Sequence, residues 1–244
     1  NLSRTDNENV GTYDKDIIGT AEGNKNYAVT VMPGTFTINK RAITVQIDNL
    51  SKVYDATAST DPALTWQIVS KQGLADGDTR KMLHVKLIRK TGENVGSHAI
   101  TGTYGNSNYD VQFTDGDFSI NSRVVSVIID PQEKTYGEAD PALTCHLAGG
   151  SSLAADQSLA DLVTLTRGAG EKVGDYTING TSENKNYTFE VTPGTFTINK
   201  RAITIQVENQ SKVYDATTTT DPALAWEIVS KQGLADGDTR EKLH

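Results

Sequence analysis

The sequence has few of the residues on which disulfides, metal sites and membrane segments depend. It contains one cysteine, four histidines and six prolines in 244 residues, and only 7% of its residues are aromatic. A single cysteine excludes an intrachain disulfide. No apolar run approaches the roughly 20 residues of a membrane-spanning helix, so we expect no membrane insertion. These absences predict small cores and a largely solvated surface.

The charge of the chain is acidic and spread along its length. The formal net charge is −8, and basic residues alternate with acidic ones throughout. A nucleic-acid partner would need a concentrated basic surface that displaces counterions from phosphates. We therefore expect no nucleic-acid partner.

One unit recurs along the chain. The segment 41–84 is nearly identical to 201–244, and Arg123 opens a third, more diverged copy. The copies begin 82 and 78 residues apart, a spacing typical of small domains in tandem.

The two ends of the sequence match halves of this unit. "NKNY" and "PGTFTINK", which occur near the end of the second unit, also occur at 24–27 and 33–40. We expect the C-terminal half of a repeat, two complete repeats and the N-terminal half of a repeat, at 1–40, 41–122, 123–200 and 201–244. The first ten residues have no feature of a signal peptide, which predicts an internal piece of a longer protein. Because half a β domain exposes unpaired strands, we predict that the terminal halves complement one another between molecules, head to tail.

Short runs of alternating apolar and polar residues indicate half-buried strands. They are "AITVQI" at 42–47, "LTWQIV" at 64–69 and "LHVKL" at 83–87, with further strands expected at 98–104, 108–113 and 117–121. Turn sequences such as "ADGD" at 75–78 separate them. A segment at 152–163 is the one place where we expect a helical turn or two. The pattern predicts a mostly β chain of tandem domains of about 80 residues.

The connection between consecutive units is short. Phe36 and Ile38 alternate in the last strand of one unit, and Ile43 and Val45 alternate in the first strand of the next. Only residues 39–41 separate the two strands, without Gly or Ser. We therefore expect the chain to pass almost in line from one domain into the next, which requires parallel first and last strands. Contact between neighbouring repeats would then give an extended array.

Candidate site residues are few. Asp76 and Asp78, repeated as Asp236 and Asp238, form the best carboxylate pair, and "DGD" can begin a calcium loop. The later ligands of an EF-hand are missing, which favours a plain turn with Asp accepting backbone amides. The histidines have no spacing that would build a metal site: His84, His98, His146 and His244. We expect no catalytic residue, no cofactor and no resident metal.

Cysteine and tyrosine occupy fixed positions of the unit. Cys145 stands where Trp66 and Trp226 stand in the other copies, which predicts a core position rather than a reactive thiol. Tyrosines recur in register: Tyr54, Tyr136 and Tyr214 at one position, and Tyr13, Tyr27, Tyr109, Tyr176 and Tyr187 near turns. Exposed rings could stack on sugars, whereas the recurrence favours buried rings whose hydroxyls fix loops.

Three motifs in order resemble a known family. "YGEADPALT" at 136–144, "GEKVGDYTI" at 170–178 and "NYTFEVTPGTFTI" at 186–198 are similar to the MBG domain of the YGX type, a tandem repeat of large bacterial surface adhesins and secreted proteins. "KVYDAT" at 52–57 resembles the sister YDG type, with Ala56, and Ala216 in the second copy, where that family usually has Gly. Because Ala does not easily adopt positive φ, the resemblance does not fix the geometry of that turn. The resemblance implies a β-grasp-like domain, with an immunoglobulin-like β-sandwich as the alternative.

Two functions fit these observations. The resemblance implies a non-catalytic stalk or spacer of a secreted or cell-surface bacterial adhesin. The alternative is a multivalent module in which each domain binds host glycan or matrix protein weakly. An exposed aromatic or apolar patch at the same place in each domain would favour the second. A Lys–Asn isopeptide bond is not expected, because most of these residues lie in hydrophilic surroundings.

Overall fold

The computed structural model describes residues 1–23, 25–154 and 156–243, which form six small sheets. The chain divides into two compact units, Asn1–Ser122 and Arg123–His244. Among the described residues the α-helical content is one turn, and no helix has the length and apolarity needed to cross a bilayer. The mostly β class with tandem repeats is confirmed. The β-grasp-like topology and the four segment boundaries stay predictions.

In the first unit, residues 1–40 form a three-stranded antiparallel sheet. Its strands are β1 (Leu2–Ser3), β2 (Gly11–Gly19) and β3 (Gly34–Ile38). We call this segment the leading half.

Residues 41–122, the first complete repeat, contain seven strands. They are β4 (Arg41–Ile47), β5 (Leu50–Val53), β6 (Trp66–Ile68), β7 (Lys86–Arg89), β8 (Gly96–Thr103), β9 (Tyr109–Thr114) and β10 (Gly116–Asn121). One sheet has the order β6-β4-β9 and the other β5-β10-β8-β7. Both sheets are mixed, because β4 pairs with β9 and β5 with β10 in parallel, while the other pairs are antiparallel.

The parallel pairing continues from the first sheet into the second. Arg41 lies opposite Tyr109 at one end, and Val53 lies opposite Asn121 at the other. Between them the chain crosses from sheet to sheet at Gly116, where a Cβ atom would lie 2.8 Å from the carbonyl oxygen of Asp48. Glycine is required there because any side chain would collide with the neighbouring backbone. The two parallel pairings keep one register across both sheets. The parallel direction of the first strand, β4, and the last strand, β10, which lie in different sheets, stays a prediction.

The alternation in β4 places its apolar residues in the core. Ile43, Val45 and Ile47 are at most 2% exposed. The run 83–87 was predicted as one strand, and this was wrong: Leu83 ends a 3₁₀ helix, Arg80–Leu83, and is fully buried from there. His84, with φ of 51°, reverses the chain before β7, so the helix and not the strand period positions this leucine.

Residues 123–200, the second complete repeat, follow the same plan. The elements are β11 (Arg123–Ile129), β12 (Gln132–Thr135), β13 (Cys145–Leu147), α1 (Leu159–Leu162), β14 (Thr164–Arg167), β15 (Gly174–Thr181), β16 (Tyr187–Thr192) and β17 (Gly194–Asn199). The sheet orders are β13-β11-β16 and β12-β17-β15-β14. Helix α1 is the expected single turn in 152–163, of which residue 155 lies outside the described residues. Cys145 packs against the core and burial raises the pKa of its thiol, which confirms the core position.

Residues 201–243, the trailing half, contain little regular structure. Strands β18 (Ile205–Val207) and β19 (Trp226–Ile228) form an antiparallel pair, and a 3₁₀ helix spans Arg240–Leu243.

The turn at Ala56 has the left-handed conformation that glycine usually provides. Ala56 and Ala216 have φ of 63° and 56°, so alanine does adopt the left-handed conformation in both copies. This conformation costs an alanine about 1–2 kcal/mol. Glycine would remove that cost. It would also raise the backbone entropy of the unfolded chain, which reduces the gain in stability by about 0.4–1 kcal/mol.

We therefore expect Ala56→Gly to raise the free energy of unfolding by up to about 1 kcal/mol, measured by urea titration. Ala42→Gly, in the exposed row of β4, is the control and is expected to destabilise. A loss of stability in both variants would contradict the account of the turn.

Candidate functional site: the repeat junctions and the buried ion pairs

Each unit has a surface cavity where a half repeat meets a complete repeat. The cavity volumes are about 580 Å³ in the first unit and about 650 Å³ in the second. Five repeat positions line both cavities: Val10 and Val173, Arg41 and Arg201, Ala75 and Ala235, Asp78 and Asp238, and Met82 and Lys242. The two junctions therefore share part of their lining.

An arginine at the start of each copy fixes a loop beside the junction. Arg41 donates through Nε to the carbonyl oxygen of Gly73, at 2.9 Å, and through Nη2 to that of Gln72, at 2.7 Å. Arg201 makes the same two bonds, to Gly233 and Gln232, at 2.9 and 2.8 Å. Two bonds from one planar guanidinium hold the loop rigidly against the first strand.

A buried tyrosine fixes the same loop from the other side. The Tyr109 hydroxyl donates to Oδ2 of Asp78, at 2.5 Å, and accepts from the backbone N–H of Ala75, at 2.9 Å. In the second complete repeat, Tyr187 accepts from the N–H of Ala154 at 2.9 Å and donates to Gln157. The prediction of buried tyrosines that fix loops is confirmed at these two positions. Burial, together with the carboxylate of Asp78, raises the pKa of Tyr109.

We expect Tyr109→Phe to lower the free energy of unfolding by about 1–2 kcal/mol, because the Ala75 N–H and the Asp78 carboxylate both lose a partner. Urea titration would measure the loss. Tyr104→Phe is the control, since no hydroxyl bond of Tyr104 contributes to this loop, and it is expected to change little. Equal effects of the two substitutions would contradict the loop-fixing role.

The candidate calcium residues lie in a turn at this junction. The N–H of Asp78 donates to the carbonyl oxygen of Ala75 at 3.1 Å, and Asp238 repeats this turn at 3.0 Å. The carboxylate of Asp238 also lies 2.7 Å from Nζ of Lys242, which lowers its pKa. The carboxylates of Asp78 and Asp238 thus bind side chains of the protein, whereas backbone amides had been expected. Asp76 lines the cavity of the first unit.

Metal ligands do not cluster in the part of the chain that the structure describes: no group of three His, Cys, Asp or Glu could hold an ion there. Asp236 and the other carboxylates of the two turns belong to no such group. His98 bonds the carbonyl oxygen of Asn94, and His146 bonds Asp130. His244 lies outside the described residues.

Side-chain amides connect the two parts of the first unit. The Asn108 side chain accepts from the N–H of Val10 at 2.9 Å and donates to Oδ1 of Asn9 at 3.0 Å. In the second unit, Arg201 reaches the carbonyl oxygen of Tyr136 at 3.4 Å. Sequence reasoning missed the Asn9–Asn108 contact, because single asparagines near turns carry no signal of a distant partner.

A buried lysine and a largely buried arginine pair with carboxylates over the core of each complete repeat. In the second, Nζ of Lys134 contacts Asp140 at 2.7 Å and also binds Glu171, while Arg167 contacts Asp140 at 2.6 Å. Only 4% of the Lys134 side chain is exposed. The Arg167 guanidinium lies 4.8 Å from the centre of the Phe196 ring. A lysine in this position can remain charged only because two carboxylates surround it.

The first complete repeat has the same group. Nζ of Lys52 lies 2.7 Å from Asp61, 3.0 Å from Asp55 and 3.1 Å from Glu93, and Arg89 contacts Asp61 at 2.8 Å. No motif in the sequence identifies the partners of the Asp that precedes Pro in each copy. The Arg and Glu four residues apart in both copies were the available signal.

These lysines are poor nucleophiles. Burial opposes the charge of Lys52, but its bonds to three carboxylates outweigh burial and raise its pKa. The bond from Arg167, followed by that from Lys134, lowers the pKa of Asp140 to about 2. An isopeptide bond needs a neutral amine and a protonated acid, and this group stabilises the opposite charge states. Its role is to hold β12, the 140 loop and the 171 loop together.

The lowered pKa of Asp140 predicts acid sensitivity. Because the folded-state pKa lies below the ordinary value of 3.8, the contribution is complete above about pH 4 and is lost as the pH falls toward about 2. We expect the free energy of unfolding to fall across this range, and Asp140→Asn to make the fall shallower. Urea titrations at several pH values would measure it. An unchanged slope in Asp140→Asn would contradict the prediction.

The chain matches one family model. The model of the MBG domain (YGX type) matches residues 43–119 and 125–197, that is, both complete repeats. No curated protein matches the chain. Domains of this repeat family are generally non-catalytic. Two matches in tandem cover more than half of the chain, which therefore belongs to the MBG domain (YGX type) family.

Proposed function

We propose that these repeats form an extended, non-catalytic spacer in a bacterial protein that is secreted or displayed on the cell surface. MBG domains are associated with surface proteins. A spacer projects another part of its protein away from an anchor, so each repeat must add length.

The two parallel strand pairings within each complete repeat are the observation that carries the proposal. Strand β4 pairs in parallel with β9, and β5 with β10, in one register across the two sheets. We infer from this that the chain enters the first complete repeat at one end and leaves at the other. The second complete repeat has the same ladder, from Arg123 opposite Tyr187 to Thr135 opposite Asn199. In this topology each added repeat displaces the point of exit.

The junctions support stiffness. Strand β3 ends at Ile38 and β4 begins at Arg41, which leaves two residues for the connection. The bonds of Asn108 to Asn9 and Val10 limit rotation about that connection. Such contacts stiffen a spacer, whereas flexible connections would let its two ends approach one another.

The adhesive alternative has less support. Stacking on sugars uses exposed aromatic rings. The strongly exposed rings among the described residues, Tyr27 at 70% and Tyr214 at 89%, both lie in half repeats. Their counterparts in the first complete repeat, Tyr109 and Tyr54, are at most 4% exposed.

A binding screen separates the two functions. The full chain, labelled and applied to mucin, glycans and matrix proteins, is expected to bind none of them above an unrelated β protein. Saturable binding that is repeated by both complete repeats would overturn the spacer proposal in favour of the adhesive module.

A further inference from the structure

A turn of the second complete repeat lies directly against a loop of the trailing half. The turn contains Tyr136 and Gly137, and the loop spans residues 232–238. A Cβ atom on Gly137 would lie 2.3 Å from the Cβ atom of Ala235 and 3.2 Å from its Cα atom. Ala235 is only 8% exposed. The backbone of one repeat therefore packs on the next repeat at a distance that only glycine permits.

Polar contacts surround this close approach. Arg201 holds the loop through two backbone carbonyl oxygens, those of Gln232 and Gly233. The same guanidinium donates from Nη1 to the carbonyl oxygen of Tyr136, at 3.4 Å. The Tyr136 hydroxyl lies 3.4 Å from Oδ1 of Asp238, and the Tyr136 ring packs against the core of its own repeat. The turn is thus fixed to its own core on one side and to the neighbouring loop on the other.

The two kinds of repeat differ in sequence at the position of Gly137. Asp55 and Asp215 stand there in the other copies. Asp55 uses its carboxylate within its own repeat, where it accepts from the N–H of Thr57 and pairs with Lys52. An aspartate also carries the Cβ atom for which the contact at Ala235 has no room. A repeat with aspartate at this position therefore cannot make the same contact.

The loop that receives the turn is common to both copies of the other kind of repeat. Residues 71–80 and 231–240 are identical in sequence. Their backbones have the same turns, because Gly73 and Gly233 have φ of 60° and 61°, and Gly77 and Gly237 have φ of 86° and 81°. The loop therefore keeps one shape, and the turn is the element that varies between the kinds of repeat.

We propose that the turn at Tyr136 and Gly137 is a docking surface for the loop of the following repeat. The missing side chain of Gly137 determines which repeats can dock in this way. The partner is the loop of sequence "KQGLADGD", which occupies residues 231–238 in this contact. The inference concerns recognition between neighbouring repeats, and it applies to a spacer and to an adhesive module alike.

Gly137→Ala tests the proposal, with Gly150→Ala as the matched control. Both glycines belong to the second complete repeat and have φ of 84° and 85°, so alanine is strained equally at either position. At Gly150, no heavy atom of the described residues lies within 4 Å of an added Cβ atom. The double variant Gly137→Ala, Ala235→Gly removes the closer of the two colliding atoms and is the rescue. Ala235→Gly alone is its reference.

Hydrogen–deuterium exchange of the full chain, followed by mass spectrometry, gives the readout. We expect Gly137→Ala to raise the exchange rate of the trailing half by about tenfold, because a clash of this kind weakens docking. Exchange in β15, within the core of the second complete repeat, is expected to change no more than in Gly150→Ala. We expect the double variant to return toward the rate of Ala235→Gly alone.

Four results would overturn the proposal. The first is an equal effect of Gly137→Ala and Gly150→Ala on the trailing half, which would assign the effect to backbone strain. The second is an equal rise in β15, which would place the effect in the core of the repeat itself. The third is a double variant that exchanges as fast as Gly137→Ala. The fourth is a trailing half that already exchanges at the intrinsic rate in the parent chain, because it would then be undocked.

Discussion

Phe118→Ala is expected to lower the free energy of unfolding of the first complete repeat by about 3–5 kcal/mol. The Phe118 ring is fully buried in β10. The Arg89 guanidinium lies 4.9 Å from the centre of the ring. Removal of the Phe118 ring therefore leaves a cavity in the core. It also removes the surface that the Arg89 guanidinium contacts.

Trp66 fluorescence in a Trp226→Phe background would follow this unfolding, because Trp66 packs against the core of the same repeat. Phe36→Ala is the matched control, since Phe36 occupies the Phe118 position in the leading half and is only half-buried. We expect it to shift the Trp66 transition little. A shift as large as that of Phe118→Ala would show that the two positions do not differ in packing.

Asp61→Asn is expected to lower the free energy of unfolding of the same repeat by about 3 kcal/mol. Asp61 contacts both Lys52 and Arg89, whose side chains are 8% and 9% exposed. Loss of the shared carboxylate leaves two buried cations with fewer anionic partners. Asparagine has nearly the shape of aspartate, so the measured loss in the free energy of unfolding reports the loss of the charge.

The repeat supplies a matched control for this substitution as well. Asp221 occupies the same position in the trailing half and contacts Lys212 at 2.5 Å, but the two side chains are 51% and 30% exposed. An ion pair in water contributes about 0–1 kcal/mol. We expect Asp221→Asn to change stability by no more than that. Equal losses in the two variants would contradict the role of burial.

The architecture was predictable because it depends on local patterns and on repetition. The alternation in 42–47 identified β4, and the repeated motifs identified the two complete units in tandem. Those features follow from the side-chain period of a strand and from how one unit must follow another.

The structural features that sequence reasoning missed depend on residues far apart in the chain, or on tertiary packing that overrides a local preference. Leu83 continued a period-two run, yet the left-handed His84 places it in a 3₁₀ helix. Lys52 has an ordinary solvated sequence context, and only the folded chain brings three carboxylates to its amine. Ala56 adopts a conformation that its residue type disfavours, held by the surrounding fold.

Small-angle X-ray scattering of the full chain tests the central claim, that each repeat displaces the point of exit from the point of entry. The scattering should be extrapolated to zero concentration, so that association does not contribute. A compact particle of this length would have a radius of gyration of about 18 Å. The account predicts a clearly larger radius and an elongated distance distribution, and a value near 18 Å would contradict it.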